Sequence, residues 1–402
     1  MTTTSTPARA PSTIRPLAVV GLVLVAINLR PAVTSLGPVL AEVRAGLGMS
    51  AAVAGLLTSL PAVCFALVGS TAPLLARRWG TGGVIALGTT ALALGLAVRP
   101  FAGGTGSFLA LTALALAGIA LANVLLPVVV KQRFPDRVGA MTGLYSVALN
   151  LGASTAAAIT VPLTAAAFGG DWRYGLGVWA VVAAIALPSW IVLARDRAAA
   201  PVPVTPSGAP AAGLRLRRHP IAWALAVYFG LQSTAAYVIM GWLPQIFRDA
   251  GLSARTAGLL FAVTALLGVP LSFALSALAG RLPRQSGVAV LIGLFGLAGY
   301  AGLWADPAAA PWLWVVLLGV ANCSFPLVLT MIALRGRDAA TVSRLSAFAQ
   351  STGYLLSVPG PIVVGVLYDH TGSWRIPLAL MAVLMVPQMA AGVLAGRDRQ
   401  IG

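Results

Sequence analysis

The chain offers few groups that could do acid–base or nucleophilic chemistry. It has nine Asp and Glu residues and two His, and both His219 and His370 sit in polar segments between apolar stretches. None of the nine acids falls inside an apolar stretch. Hydrolysis or group transfer needs a general acid or base, an activated nucleophile or a set of metal ligands. We find no such constellation, and nothing that calls for a metal or another cofactor. What stands out instead is one cation. Arg30 lies within an apolar run, fifteen residues after Arg15 and twelve before Glu42. At helical rise it is about 22 Å from the first and about 18 Å from the second, too far to reach either membrane interface comfortably. Such an Arg ordinarily requires an intramembrane Asp or Glu, and there is none. Its guanidinium fork suits a small planar oxyanion. The alternative is a structural Arg that caps carbonyls of a neighbouring helix. Pro31, directly after it, should break a main-chain hydrogen bond and kink the helix there.

Other polar residues at similar depth are candidates for the same binding site: Asn28, Asn123, Tyr145, Asn150, Gln232, Tyr237, Asn322, Gln350 and Tyr354. Ser343, Ser346, Gln350 and Tyr354 recur at spacings of three and four and so share a helix face. For each of these residues, hydrogen bonding between helices competes with contact to a solute.

The elements that must position these residues follow from composition. The chain is 59% hydrophobic and 9% charged, with a mean hydropathy of +0.92, against roughly 25% charged residues in ordinary globular proteins. That supply cannot cover a soluble surface. We count twelve apolar stretches of about 20 residues, each long enough to span a hydrocarbon core of about 30 Å. They centre near residues 28, 64, 91, 118, 151, 183, 232, 267, 295, 323, 355 and 385. The expected fold is an all-α membrane protein of twelve transmembrane helices in two six-helix bundles. Cys64 and Cys323 fall inside spans 2 and 10 and read as small apolar fillers. Gly293, Gly296, Gly299 and Gly302 form a row in span 9 that suits close helix packing. Trp79, Trp172, Trp304, Trp312 and Trp374 fall at span ends, as an interfacial belt would, and Trp242 could line an outer vestibule.

The net charge of +17 reports orientation. With the N-terminus in the cytoplasm, nineteen of the 26 basic residues lie on the cytoplasmic side and six outside, at Arg44, Arg99, Arg173, Arg248, Arg255 and Arg375; Arg30 is the one left over. The acids divide nearly evenly, five outside and four inside. That is the positive-inside pattern, and it places both termini in the cytoplasm of a multi-pass plasma-membrane protein. Nucleic-acid binding is excluded, because the Arg clusters are short and separated by apolar stretches.

Residues 1–15 read as a disordered cytoplasmic tail, since cleavage of a signal peptide there would orphan eleven further spans. Residues 195–219, with Pro201, Pro203, Pro206 and Pro210, read as a cytoplasmic linker between bundles at 16–194 and 220–396, and 397–402 as a short tail. The halves repeat. GMSAAVAGLL at 48–57 and GLSARTAGLL at 251–260 share seven of ten residues, with Ser50 and Ser253 placed as helix N-caps. Asn123-x-x-x-Pro127 recurs as Asn322-x-x-x-Pro326, and Asp171-Trp172-Arg173 recurs as Ser373-Trp374-Arg375. The offsets, 251 − 48 = 203, 322 − 123 = 199 and 373 − 171 = 202, describe one register. Such repeats place a solute site between them near the midplane.

Twelve spans in two repeats with a long central loop resemble the major facilitator superfamily. More narrowly, several segments resemble the cyanate and 2-nitroimidazole transporter (CynX/NimT) family: Asn28-Leu29-Arg30-Pro31-Ala32, Gly55 to Pro61, Ala122 to Pro127 running to Lys131, Phe134 to Gly139 with Met141 to Tyr145, and Gln350-Ser351-x-Gly353-Tyr354-Leu355. The superfamily signature between spans 2 and 3 has an Asp three residues before a Gly; here Arg77 precedes Gly80. The resemblance implies a secondary transporter working by alternating access, active as a monomer. Its expected partners are the lipid bilayer and a small-molecule substrate, either a small anion or weak acid held by Arg30 or a neutral nitroimidazole-like compound for export. No carboxylate or His sits in the bundle to carry a coupling proton, so the substrate carries its own or transport is by uniport or exchange.

Overall fold

The computed structural model describes residues 14–195 and 216–401, so most of the expected N-terminal tail and linker lies outside the described residues. Eleven stretches are long and apolar enough to cross a bilayer. One of them runs for 51 residues from Ala51 to Phe101, which at helical rise is about 75 Å, more than twice a hydrocarbon core. Gly80 resolves it. With φ at +74° it leaves the helical region and turns the chain, ending span 2 and beginning span 3. Twelve spans result among the described residues.

Several spans are broken where the sequence provides the break. Span 1 comprises helices Ile14–Asn28, Pro31–Thr34 and Leu40–Leu47 with a 3-10 turn at Gly37–Val39. Pro31 starts the second piece, at the kink expected from sequence. Span 2 begins at Ala51, where Ser50 accepts a hydrogen bond from the Val53 amide; Ser253 does the same for Thr256 at the start of span 8. The expected pair of N-caps is thus present in both halves. Spans 4, 5, 7, 8, 9 and 12 are the single helices Thr105–Arg133, Val138–Ala167, Pro220–Asp249, Ala254–Arg281, Ser286–Ala305 and Arg375–Ala395. Span 6 is Trp172–Gly177 and Trp179–Arg195, span 10 is Pro311–Ala321 and Ser324–Arg335, and span 11 is Ala339–Ser357 and Pro359–Thr371. The two Asn-x-x-x-Pro repeats therefore differ: Pro127 is carried inside a continuous helix, whereas span 10 parts at Asn322 and Cys323.

Twelve crossings bring both described ends to one face of the protein. There the last residues are tied down: the Gly336 segment pairs with Ile401, whose amide donates to the Arg335 carbonyl at 2.7 Å. At the opposite face one apolar core joins the two bundles, with Leu36, Leu57 and Trp172 beside Trp242, Phe261 and Leu378. Toward the termini the core divides into two, one built of N-terminal spans and one of C-terminal spans. The buried apolar cluster that joins the bundles thus lies at the far end, while spans 5 and 8 stay in contact further along, at Gly143 and Phe273.

Three sequence expectations change. Arg99 opens the 3-10 turn Arg99–Phe101 between spans 3 and 4, but its side chain is fully buried, its guanidinium 5.5 Å from the Phe108 ring centroid, donating to the Ala32 carbonyl at 3.3 Å. Arg335 is also buried and donates to the Ala395 and Gly396 carbonyls, closing the end of span 12. Trp172, Trp374 and Trp242 are buried rather than interfacial or vestibular, while Trp79, Trp304 and Trp312 are about half exposed. In each case a span end is covered by its neighbours. Each glycine of the span 9 row meets a side chain of span 10 or span 12, so the row packs closely. Both cysteines are buried and free.

Candidate functional site

Arg30 stands at the gap between the first two pieces of span 1, in a backbone conformation outside the helical region. Its carbonyl accepts from the Val33 and Thr34 amides and from the Thr34 hydroxyl, which spends the main-chain groups freed by the break. The side chain is half-buried and crosses to the other bundle, where Nη1 meets the Met240 Sδ at 3.9 Å. A thioether is a weak acceptor. Among the described residues Arg30 has no ion pair. Tyr237 lies one turn before Met240 on the same face of span 7, and Tyr354 stands on span 11 of the same bundle. Tyr354 in turn stacks on Phe65 of span 2, with centroids 5.4 Å apart and planes at 20°, and meets Phe229 edge-on at 4.9 Å. Arg30, Met240, Tyr237 and the stacked Phe65–Tyr354 pair thus lie along the contact between the bundles. Phe65 and Met240 were not singled out from sequence, since nothing in a single apolar residue marks which helix it will face.

The other expected site residues divide. Asn28 is buried and donates to the Leu24 carbonyl at 2.8 Å and the Val182 carbonyl at 3.1 Å, so its amide ties span 1 to span 6. Gln232 and Asn322 bond to each other at 3.3 Å beside a small cavity inside the C-terminal bundle. On the helix of span 7, Gln232, Ala235 and Ile239 share the face toward that cavity, whereas Tyr237 and Met240 share the face toward Arg30. Asn150 donates to the Ser146 carbonyl at 2.8 Å and faces Gly268 of span 8 across the bundle boundary. Gln350 donates to the Ser346 hydroxyl at 2.6 Å, confirming their shared face. Asn123 and Tyr145 are half-buried in spans 4 and 5 and take no hydrogen-bond partner among the described residues.

The far end of this contact is closed. Arg248 of span 7 makes two bonds to Glu42, at 2.7 and 2.8 Å, and donates to the Pro38 carbonyl at 3.2 Å. Asp369 of span 11 accepts from the Ala51 and Ala52 amides at 2.9 and 2.8 Å, where a helix N-terminus favours a carboxylate, and pairs with Arg44 at 3.5 Å. Asp249 accepts from Tyr368 and Trp374 at 2.9 and 2.7 Å. Backbones touch here as well: a Cβ on Gly55 would overlap the Pro361 carbonyl, and one on Gly365 the Ala51 carbonyl. Both of these ion pairs, Arg248–Glu42 and Arg44–Asp369, join the bundles in this half.

Comparison with known proteins places this geometry. The family model described as Major Facilitator Superfamily matches residues 22–358. The chain is 36% identical over 385 residues to the uncharacterized transporter YycB of Bacillus subtilis, covering 95% of this chain and 94% of that one. It is 33% identical to the 2-nitroimidazole transporter of Escherichia coli, over 95% of this chain and 96% of that protein. Identity to the cyanate transport protein CynX of Escherichia coli is 30%, over 92% and 94%. The fold superposes with a TM-score of 0.80 on a bacterial homologue of the human lysosomal transporter Spinster, solved in an inward-facing and occupied conformation, at 16% identity and covering 98% of this chain and 100% of that one. The twelve spans, the paired bundles and the full-length relatives together make this chain a member of the Major Facilitator Superfamily, a membrane transporter resembling the CynX/NimT family.

Proposed function

We propose that this transporter moves a small anion or weak acid of the cyanate type between its two bundles, with Arg30 holding the negative end. The observation that carries the reading is a cation that reaches from one bundle to the other, where among the described residues its one hydrogen-bond partner is a thioether and no carboxylate pairs with it. An anion that binds there supplies the missing countercharge and the acceptors that a guanidinium requires. Relatives named for cyanate and for 2-nitroimidazole transport support a small planar substrate.

By the positive-inside count the termini are cytoplasmic, so the end closed by the Glu42–Arg248 and Arg44–Asp369 pairs is the outer one. In this reading transport alternates as the Glu42–Arg248 and Arg44–Asp369 pairs break and re-form at the outer end. A monomer suffices, because the site lies between bundles of one chain.

A second reading is export of a neutral nitroheterocycle, with Arg30 touching nitro oxygens; the stacked Phe65–Tyr354 pair beside it favours that reading. The deciding experiment is uptake into proteoliposomes by a panel of small acids and nitroimidazoles, with and without an imposed pH gradient. Saturable movement of cyanate or another weak acid supports the first reading. Movement of nitroimidazoles alone, with no anion transported, supports the second.

A further inference from the structure

The C-terminal bundle contains a second polar centre that the Arg30 site does not use. A small cavity among spans 7, 9, 10 and 12 is lined by Gln232, Tyr300, Asn322 and Gln388 over an apolar floor, with room for about one water molecule. Three atoms around it have no protein partner: Gln232 Oε1, Gln388 Oε1 and the Tyr300 hydroxyl. Their residues are 3%, 3% and 2% exposed. Both amide nitrogens are already committed, Gln232 Nε2 to Asn322 Oδ1 at 3.3 Å and Gln388 Nε2 to Ser324 Oγ at 3.2 Å. With the two carboxamides turned to make these bonds, what remains is two acceptors and one hydroxyl. Buried polar atoms left in this state cost free energy comparable to a lost hydrogen bond each.

We propose that this cavity is a binding site for one resident water molecule. The count of donors and acceptors selects it. Water donates twice, once to each Gln Oε1, and accepts once from the Tyr300 hydroxyl, so a single molecule satisfies all three atoms. An anion would face two amide oxygens. A metal cation would find neutral oxygens and no carboxylate to balance its charge in an apolar surround.

The position gives the water a role. Span 10 parts at Asn322 and Cys323, beside the cavity, whereas its repeat in span 4 is unbroken. The water links spans 7, 9 and 12 behind that break and holds the Gln232 carboxamide whose Nε2 donates to Asn322. It therefore supports the one interrupted copy of the Asn-x-x-x-Pro repeat.

The test uses the full chain in nanodiscs. A structure at a resolution that shows ordered solvent is expected to contain one peak within about 2.6–3.2 Å of the three oxygens. Tyr300→Phe and Gln388→Met are each expected to lower the melting temperature by about 2–4 °C. Their effects should be less than additive, since both remove partners of the same molecule. Exchange of sodium for N-methylglucamine should leave the melting temperature unchanged. Absence of the peak, stability equal to or above the parent in either variant, fully additive losses, or a saturable rise specific to sodium would each overturn the proposal.

Discussion

Replacing Arg30 by Met tests the functional reading, because the structure gives opposite signs for its effects on transport and on stability. Among the described residues the side chain has one hydrogen-bond contact to lose, at 3.9 Å, and no ion pair. Met keeps its length and apolar stem while removing a charge that costs about 2.5–3.5 kcal/mol at the centre of a spanning helix on insertion scales. The melting temperature of Arg30→Met should therefore equal or exceed that of the parent. Substrate binding should move the other way. A charge-assisted hydrogen bond contributes about 1.5–3 kcal/mol, and each 1.4 kcal/mol is tenfold, so affinity for an anionic substrate should fall about 10- to 150-fold. Arg30→Lys retains the charge and loses the planar fork. It should fall between Met and the parent. The assay is initial uptake of labelled cyanate and of a set of small weak acids into proteoliposomes, with binding measured on the same preparations. If Arg30→Met transports these anions with a KM within twofold of the parent, the assignment fails. If it transports poorly and also melts well below the parent, Arg30 is a structural capping residue.

Three further outcomes follow from the same contacts. The Glu42–Arg248 pair is partly exposed, at 37% and 22% of its side chains, so its coupling in a double-mutant cycle should be about 0.5–1 kcal/mol; Glu42→Gln should raise cysteine accessibility at the far end, and high salt should mimic it in part. Gly365→Ala places a Cβ against the Ala51 carbonyl, an overpacking that costs about 1–3 kcal/mol; distances between spin labels on spans 2 and 11 at that end should lengthen, and unchanged distances would contradict the closed contact. Asn28→Leu removes the tie to Val182 and should cost about 0.6–1 kcal/mol, seen as a lower melting temperature with the KM for substrate unchanged.

Much of this was legible in the residues. Span count, the break before Pro31, the paired Ser50 and Ser253 caps and the isolation of Arg30 from any acid are properties of local order, and local order is what hydropathy, proline and capping residues control. Even Gly80 could be located from its motif, though its positive φ was needed to divide a 51-residue helical stretch in two. The candidate site was legible only as a set of depths. Asn28, Arg30, Gln232 and Tyr237 all lie near mid-span, and sequence offers no means of telling which face of a wholly apolar helix meets which neighbour.

Composition and spacing by themselves determined the class of protein, the two-fold repeat and the presence of a cation, Arg30, inside an apolar stretch. Tertiary structure alone decided what that cation faces. It set Met240 and Tyr237 toward Arg30 and Gln232 toward the interior of its own bundle, it brought Phe65 of one half onto Tyr354 of the other, and it buried Arg99 against Phe108. The reason is that membrane helices are apolar on every side. The period that identifies the buried face of a soluble helix is weak in them, so rotation about each axis is set by packing and by a few hydrogen bonds between spans.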